Sequence, residues 1–275
     1  IFTLLRSVIL ICYSIIKSLF LLLIIRPNIV LGMGGYSSFP ICVAAKILKI
    51  KFIIYENNLI IGKANKYLSS FAEKIFVSYK DLEGISDKNK KKIIVIGNII
   101  RDEILNFDFN NDTKSKFDTV NILVLGGSQG AKIFAEELPK IFKKIKESGV
   151  PIRVFQQCQL KQNEKLSNFY IKENIKFEIF NFTDKITDYY LKSNLVITRS
   201  GASALGELIN VKIPFIAIPL PTSADNHQYK NAKYYEKKGM CYFLEEKKIS
   251  DQLYEIIYLN FKDNTKLKRI ISNQR

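Results

Sequence analysis

Hydrophobic and polar positions alternate along this chain in two textures. Short runs of nearly continuous apolar residues, NIVLG (28–32), KFIIYEN (51–57), KIFVSY (74–79) and KKIIVIGN (91–98), have the length and β-branched content of strands buried on both faces. Between them, FPICVAAKILKI (39–50) and IGKANKYLSSFA (61–72) read as helices. Strands alternating with helices predict parallel pairing through right-handed crossovers, an α/β layer fold. The segment NFDFNNDTKSKFDT (106–119) interrupts this pattern: it is polar, rich in Asn and Asp and aperiodic, and reads as a linker. The pattern then restarts at VNILVLGGSQGAKIFAEELPKIFKKI (120–145), a strand, a glycine turn and an amphipathic helix. It continues through PIRVFQQC, KFEIFNF, NLVITRSG, KIPFIAIPL and CYFLEE, with helices between. Two α/β domains follow from this, spanning residues 1–101 and 119–275 on either side of a linker at 102–118.

Residues 7–25, SVILICYSIIKSLFLLLII, are apolar around a single Lys17. Their length approaches the roughly 20 residues of a membrane span. The following RPNIVLG offers no small-residue cleavage site, which argues against a signal peptide. The alternative to a span is a helix packed on a sheet that leaves an apolar stripe at a membrane surface, with Arg6, Lys17 and Arg26 at headgroup level.

Composition sharpens this picture in three respects. The formal charge of +16 points to an anionic partner, a phosphorylated substrate, an acidic membrane surface or nucleic acid. Many of the lysines are scattered singly, and the densest run, KNKKK (88–92), reads as a solvated loop. The four cysteines, Cys12, Cys42, Cys158 and Cys241, form no Cys-x-x-Cys pair, which argues against zinc sites and a disulfide framework. With His227 as the sole histidine, a histidine-rich metal site is excluded, as is any Ser-His-Asp triad that does not use it.

Three strand-to-helix turns are rich in small residues: GMGGYSS (32–38), GGSQGA (126–131) and RSGASALGE (199–207). A helix N-terminus carries partial positive charge, and small residues there let a phosphate approach the backbone. Glycine at such a turn is also a common steric device, so one turn alone says little. No Gly-Lys-Ser/Thr follows any of them and none completes G-x-G-x-x-G, so ATP hydrolysis and NAD binding lose ground. Glu207 stands within two turns of RSGAS, where a carboxylate can accept two hydrogen bonds from a ribose diol; the bland alternative is a surface glutamate. The loop PLPTSADNHQYKNA (219–232) offers Asn226, His227 and Gln228, neutral groups suited to sugar hydroxyls, or else a plain polar loop. No Asp-x-Asp follows a strand, so a metal-held diphosphate has no evident ligands.

GMGGYSSFP, YENNLIIGKANKYLS, GNIIR, ILVLGGSQGAK, TRSGASALGE and the loop ending NHQYKNA occur in an order and spacing that resemble the MurG family of glycosyltransferases, over roughly residues 26–250. The resemblance implies a GT-B architecture: two Rossmann-like domains with parallel sheets facing across a cleft, the N-terminal one incomplete here. It implies inverting, metal-independent transfer of N-acetylglucosamine from UDP-GlcNAc to undecaprenyl-pyrophosphoryl-MurNAc-pentapeptide in peptidoglycan synthesis. No cofactor and no nucleic-acid partner are implied. The setting implied is an anionic membrane surface, with peripheral attachment at the cytoplasmic face of the bacterial inner membrane, so residues 1–26 are expected to lie on that surface.

On the donor side, the resemblance assigns Asn58, Arg101, Ser128, Thr183, Arg199, Ala202, Ser203, Ala204, Leu205, Gly206, Glu207 and Gln228. Glu207 would hold the ribose, the backbone at Thr183 the uracil, and Gln228 the sugar hydroxyls. On the acceptor side it assigns Gly34, Gly35, Tyr36, Glu56 and Asn65. The family's general base, in a Gly-Gly-His loop, is expected upstream of Ile1, and its last helix beyond Arg275. Within the chain only Glu56 or His227 offers a substitute, and Glu56 is the weak candidate. The chain departs from the family at Tyr55-Glu56-Asn57-Asn58, at GNIIR, which lacks a proline, and at QQCQLKQ (156–162), which lacks glycines. These departures keep a second reading alive, a truncated, inactive remnant that binds UDP-sugars or membrane. A nucleic-acid-binding protein rests on charge alone, without RNP, KH or helix-turn-helix pattern.

Overall fold

The computed structural model describes residues 2–106, 119–127 and 132–274, with side chains from Leu5 onward. The chain divides into two compact units, Ile1–Ile99 and Ile100–Arg275.

The first unit opens with α1 (Phe2–Ile25), followed by β1 (Ile29–Gly32), α2 (Gly35–Ile47), β2 (Lys51–Glu56), α3 (Lys63–Leu68), β3 (Lys74–Val77), α4 (Asp87–Lys90) and β4 (Ile93–Val95). The four strands pair in parallel in sequence order, β1-β2-β3-β4. Phe52, Ile54, Ile75 and Val77 alternate into a core shared with Cys42, Ala44 and Ala45 of α2 and Leu68 of α3. α1 packs against α2 but, of its aliphatic side chains, buries chiefly Leu22. Leu5, Ile9, Leu10, Ile16, Phe20, Leu23 and Ile24 stay exposed, so Leu5–Ile25, with a mean hydropathy of 2.7, presents apolar surface almost all round.

The second unit runs α5 (Asp102–Leu105), β5 (Val120–Leu125), α6 (Lys132–Glu147), β6 (Ile152–Gln157), α7 (Asn163–Lys172), β7 (Lys176–Phe180), α8 (Ile186–Lys192) and β8 (Leu195–Thr198). It then continues through α9 (Ala202–Asn210), β9 (Phe215–Ala217), α10 (His227–Lys237), β10 (Tyr242–Phe243), α11 (Ile249–Lys262) and α12 (Thr265–Asn273). The apolar runs of the sequence are these strands. Val196, Ile197, Phe215 and Ile216 are 0 % exposed, as expected of a parallel sheet covered on both faces.

All pairings are parallel, in the order β10-β9-β8-β5-β6-β7. Counted within the unit this is 3-2-1-4-5-6 from the β7 edge, the doubly wound Rossmann order. The chain leaves β5 toward β6 and β7 on one side, then returns to place β8 beside β5, with Leu125 opposite Thr198 at their carboxyl ends. The connections diverge at that point and open a crevice. Residues 102–105, read from sequence as the start of the linker, are helical, and Ile104 is buried in the second unit with its carbonyl accepting from Asn210 Nδ2 at 3.3 Å. The rest of that segment, 107–118, lies outside the described residues.

Candidate functional site

A cavity of about 990 Å³ occupies the crevice above the carboxyl ends of β5 and β8. Leu125, Gly126 and Gly127 border it from β5, Phe180 and Thr183 from the end of β7, Thr198, Arg199 and Gly201 from β8, and Ala204 and Glu207 from α9. Tyr190 of α8, Gln228 of α10 and Arg101, which leads into α5, add polar groups to the wall, as do Lys132 and Glu136 of α6, Gln157, Gln159, Lys161 and Glu246. Gly127 holds φ +76°, a conformation only glycine adopts without strain, and a β-carbon there would stand 4.0 Å from the Arg199 β-carbon.

α9 starts at the cavity with Gly201 as its N-cap, so the positive end of its dipole belongs to the wall. The helical period then sorts the motif residues. Ala204 and Glu207, three apart, face the cavity, whereas Leu205 is 0 % exposed and Gly206 is buried in the packing behind it. Ala202, Ser203, Leu205 and Gly206 do not line the cavity, and the side chain of Leu205 is buried in the core. Ser128 lies outside the described residues.

Glu207 is the charged centre of the site. Its carboxylate accepts from Arg101 Nε at 3.0 Å on Oε1, from Arg101 Nη2 at 2.9 Å on Oε2, and from the Tyr190 hydroxyl at 3.2 Å on Oε2. Bidentate pairing with Glu207 raises the Arg101 pKa above its ordinary value, keeping the guanidinium charged. The alternative of a plain surface glutamate does not hold, because the Glu207 side chain is 14 % exposed.

Gln228 Oε1 accepts from Leu220 N at 2.9 Å and Ser200 N at 3.2 Å, which fixes the amide and leaves Nε2 as its donor end. Thr183 Oγ1 accepts from Lys185 N at 3.0 Å, closing a tight turn that sets the backbone at the rim, with Phe182 79 % exposed beside it. Arg199 is committed to protein partners. It donates to the carbonyls of Pro219 at 3.2 Å and Ile218 at 3.4 Å, pairs with Glu246 and lies over the Phe134 ring. Its part is to clamp the loop after β8 to the one after β9. His227 does not line the cavity; its Nδ1 sits 2.6 Å from the Ala224 carbonyl in the turn before α10.

In the first unit, Gly34 and Gly35 (φ +82° and +72°) turn the chain from β1 into α2, and Tyr36 stands 79 % exposed at the helix start. A β-carbon at Gly34 would press on Asn65 Nδ2 at 3.2 Å and the Tyr55 carbonyl at 3.3 Å. Glu56, the weak candidate for the base, is 4 % exposed and saturated. Oε1 accepts from the Asn58 backbone at 3.0 Å and side chain at 3.1 Å, Oε2 from Gly62 N at 3.0 Å and Asn65 Nδ2 at 2.9 Å. Four N–H donors fill its acceptor directions, so this carboxylate organises the 56–65 turn and has no lone pair left for a substrate proton. The Asn58 side chain serves the same turn.

Sequence reasoning missed Tyr190. A tyrosine inside ITDYYLK carries no motif, and only the fold brings it to Glu207, 17 residues on.

The family profile described as the glycosyltransferase family 28 C-terminal domain matches residues 121–274, and that of the family's N-terminal domain matches residues 1–77. The chain belongs to glycosyltransferase family 28. Among family 28 relatives, it is 37 % identical over 246 residues to the UDP-N-acetylglucosamine--N-acetylmuramyl-(pentapeptide) pyrophosphoryl-undecaprenol N-acetylglucosamine transferase of Pelagibacter ubique, covering 87 % of this chain and 66 % of that protein. It is 39 % identical over 244 residues to the protein of the same description from Rickettsia felis, covering 86 % of this chain and 68 % of that one. The chain thus spans about two thirds of the length of these relatives. Among solved structures, Acinetobacter baumannii MurG superposes with a TM-score of 0.79 at 25 % identity, over 96 % of this chain and 73 % of that one. The parallel sheets of the two units and this match establish the GT-B fold expected from sequence.

Proposed function

We propose that this chain transfers N-acetylglucosamine from UDP-GlcNAc to the lipid-linked MurNAc-pentapeptide precursor, with inversion at the anomeric carbon. The observation that carries this reading is the Glu207 carboxylate beside the α9 N-terminus, in a cavity at the β5/β8 switch point. The relatives named above, whose descriptions state that activity, support it.

In the reaction, the acceptor hydroxyl forms a bond to the anomeric carbon as the bond to the UDP phosphate oxygen breaks. The hydroxyl proton passes to a base and the electron pair leaves with UDP. Charge therefore grows on the diphosphate, and the positive end of α9 stabilises it where it develops. Arg101, charged at all physiological pH values, supplies a second positive group once it leaves Glu207. Glu207 accepts from the ribose hydroxyls, the backbone around Thr183 reads the base, and Gln228 Nε2 donates to a sugar hydroxyl. Gly34, Gly35, Tyr36 and Asn65 form the acceptor side, where the α2 N-terminus meets the lipid pyrophosphate. This reading leaves Glu56 out of the base's role, because its four acceptor directions are already taken.

The apolar surface of α1, with Arg6, Lys17 and Arg26 along it, suits peripheral attachment to an anionic bilayer at its cytoplasmic face. The test is calorimetric titration of the chain with UDP-GlcNAc, UDP-GalNAc and ATP, followed by transfer of labelled GlcNAc to a lipid-linked MurNAc-pentapeptide. Saturable binding that prefers UDP-GlcNAc is expected; equal affinity for ATP, or none for either UDP-sugar, would overturn the reading.

A further inference from the structure

We propose that Tyr190 is a positioning residue for ribose recognition: its buried hydroxyl fixes the Glu207 carboxylate, and the preference of the cavity for a ribonucleotide over its 2′-deoxy counterpart depends on it. The inference deepens the donor-site reading above and rests on it.

A carboxylate offers about four in-plane acceptor directions, two on each oxygen. At Glu207, two are taken by Arg101 and one by Tyr190, so Oε2 is filled and Oε1 keeps a single direction. A vicinal diol brings two donors. Its entry requires one of the two partners to let go.

The two partners differ in freedom. Arg101 reaches Glu207 from a side chain that is 47 % exposed, so water competes for it and its release costs little. Tyr190 is 1 % exposed and locked in the body of α8, with no room to turn away. Burial first, and the neighbouring Glu207 charge second, push the phenol pKa well up, so the hydroxyl stays protonated and donates throughout the physiological range. Diol binding therefore displaces Arg101 and leaves Tyr190 in place. Tyr190 holds Oε2 on one side while the ribose takes the directions Arg101 has vacated. Without the hydroxyl, the carboxylate rotates toward Arg101 and loses its aim at the diol.

The experiment compares UDP with 2′-deoxy-UDP by calorimetry on the full chain for wild type, Tyr190→Phe and Arg101→Ala. Wild type is expected to prefer UDP by about tenfold, the value of one charge-assisted hydrogen bond. Tyr190→Phe is expected to reduce that ratio to about twofold or less, with a smaller loss of affinity for 2′-deoxy-UDP, which keeps one of the two hydroxyls, than for UDP. Arg101→Ala is expected to keep the ratio at or above the wild-type value. A merely structural tyrosine would weaken both nucleotides equally, so an unchanged ratio in Tyr190→Phe overturns the inference. A collapsed ratio in Arg101→Ala, with Tyr190→Phe unaffected, assigns the positioning to Arg101 and overturns it as well. Failure of the wild-type chain to bind UDP at all removes the donor-site reading and this inference with it, an outcome distinct from intact binding with an unchanged ratio.

Discussion

Arg199 stands in the middle of the most conspicuous motif of the chain, yet the structure gives its guanidinium to the protein. Replacing it with methionine keeps the stem over Phe134 and removes the charge. Two carbonyl acceptors, at Ile218 and Pro219, then lose a donor, and Glu246 loses its cation. Removing one partner of a buried ion pair costs about 3–5 kcal/mol. The Glu246 side chain is 24 % exposed and regains some hydration, which puts the expected cost near the lower end, about 3 kcal/mol. A two-unit chain has no single unfolding free energy, so the readout must be local. Hydrogen exchange supplies it at Val196 and Ile218, whose amides donate to Pro214 and Thr198 across the clamped strands. A loss of 3 kcal/mol corresponds to exchange faster by about a hundredfold at those amides. Adding Glu246→Leu should recover about 1–2 kcal/mol, because the unpaired acid is then gone. UDP affinity should fall by less than about fivefold, through loop mobility alone. Unchanged exchange together with a UDP affinity lowered by about tenfold or more would refute this reasoning and make Arg199 a ligand contact.

Three further outcomes follow from the same geometry. Glu207→Gln keeps the shape but removes the charge, and should weaken UDP by about tenfold in calorimetry, the loss of a charge-assisted bond; wild-type affinity in this variant would separate Glu207 from the ribose. Iodoacetamide at neutral pH should label Cys12, which is exposed, far faster than the buried Cys42, Cys158 and Cys241, as read by mass spectrometry. Anionic vesicles should then protect Cys12 if α1 lies on the membrane, and labelling unaffected by vesicles would count against that attachment. Burial pushes the Cys42 thiol up to about 11 and the Tyr242 phenol up to about 12. The folded chain therefore keeps protons that the unfolded chain loses above about pH 9, and stability should fall as pH rises toward 11, by up to about 1.4 kcal/mol per pH unit for each group. Urea unfolding followed separately in each unit at about pH 8 and 10.5 checks the sign, and a midpoint that rises in either unit would contradict it.

The parts of the fold legible in the sequence are those written in local pattern. Runs such as NLVIT and PFIAI are strands because continuous β-branched and apolar residues suit a sheet covered on both faces, and the glycine turns mark where they feed helices. Glu207 was legible as a candidate, an acid within two turns of a small-residue loop, while its 14 % exposure and its place in the cavity wall, which set aside a surface glutamate, needed the fold. The partners of these groups were not legible, because they are set by tertiary distance. Arg101 and Glu207 are 106 residues apart, and the Arg199–Glu246 pair links loops from different strands. Sequence likewise suggested Glu56 as an acid with spare basicity, whereas the turn that follows it spends all four acceptor directions. The start of the expected linker became α5 because Ile104 finds a buried place in the second unit, a contact that a polar, aperiodic stretch does not advertise.

Three polar parts of the cavity wall are held from behind. Tyr190 holds Glu207, two backbone N–H groups hold the Gln228 oxygen, and the Arg199–Glu246 clamp holds the loop that carries Gly201 and the start of α9. Ordering a long side chain on binding costs about 0.5–1.5 kcal/mol. Groups fixed beforehand avoid that cost and aim their dipoles before a ligand arrives, the arrangement that best stabilises developing charge. Arg101 differs from these three, with nearly half of its side chain in solvent and a partner it can exchange. Its guanidinium balances the charge of the largely buried Glu207 carboxylate. On the donor-site reading proposed above, the same cation becomes available to the diphosphate once the ribose takes its place on the carboxylate.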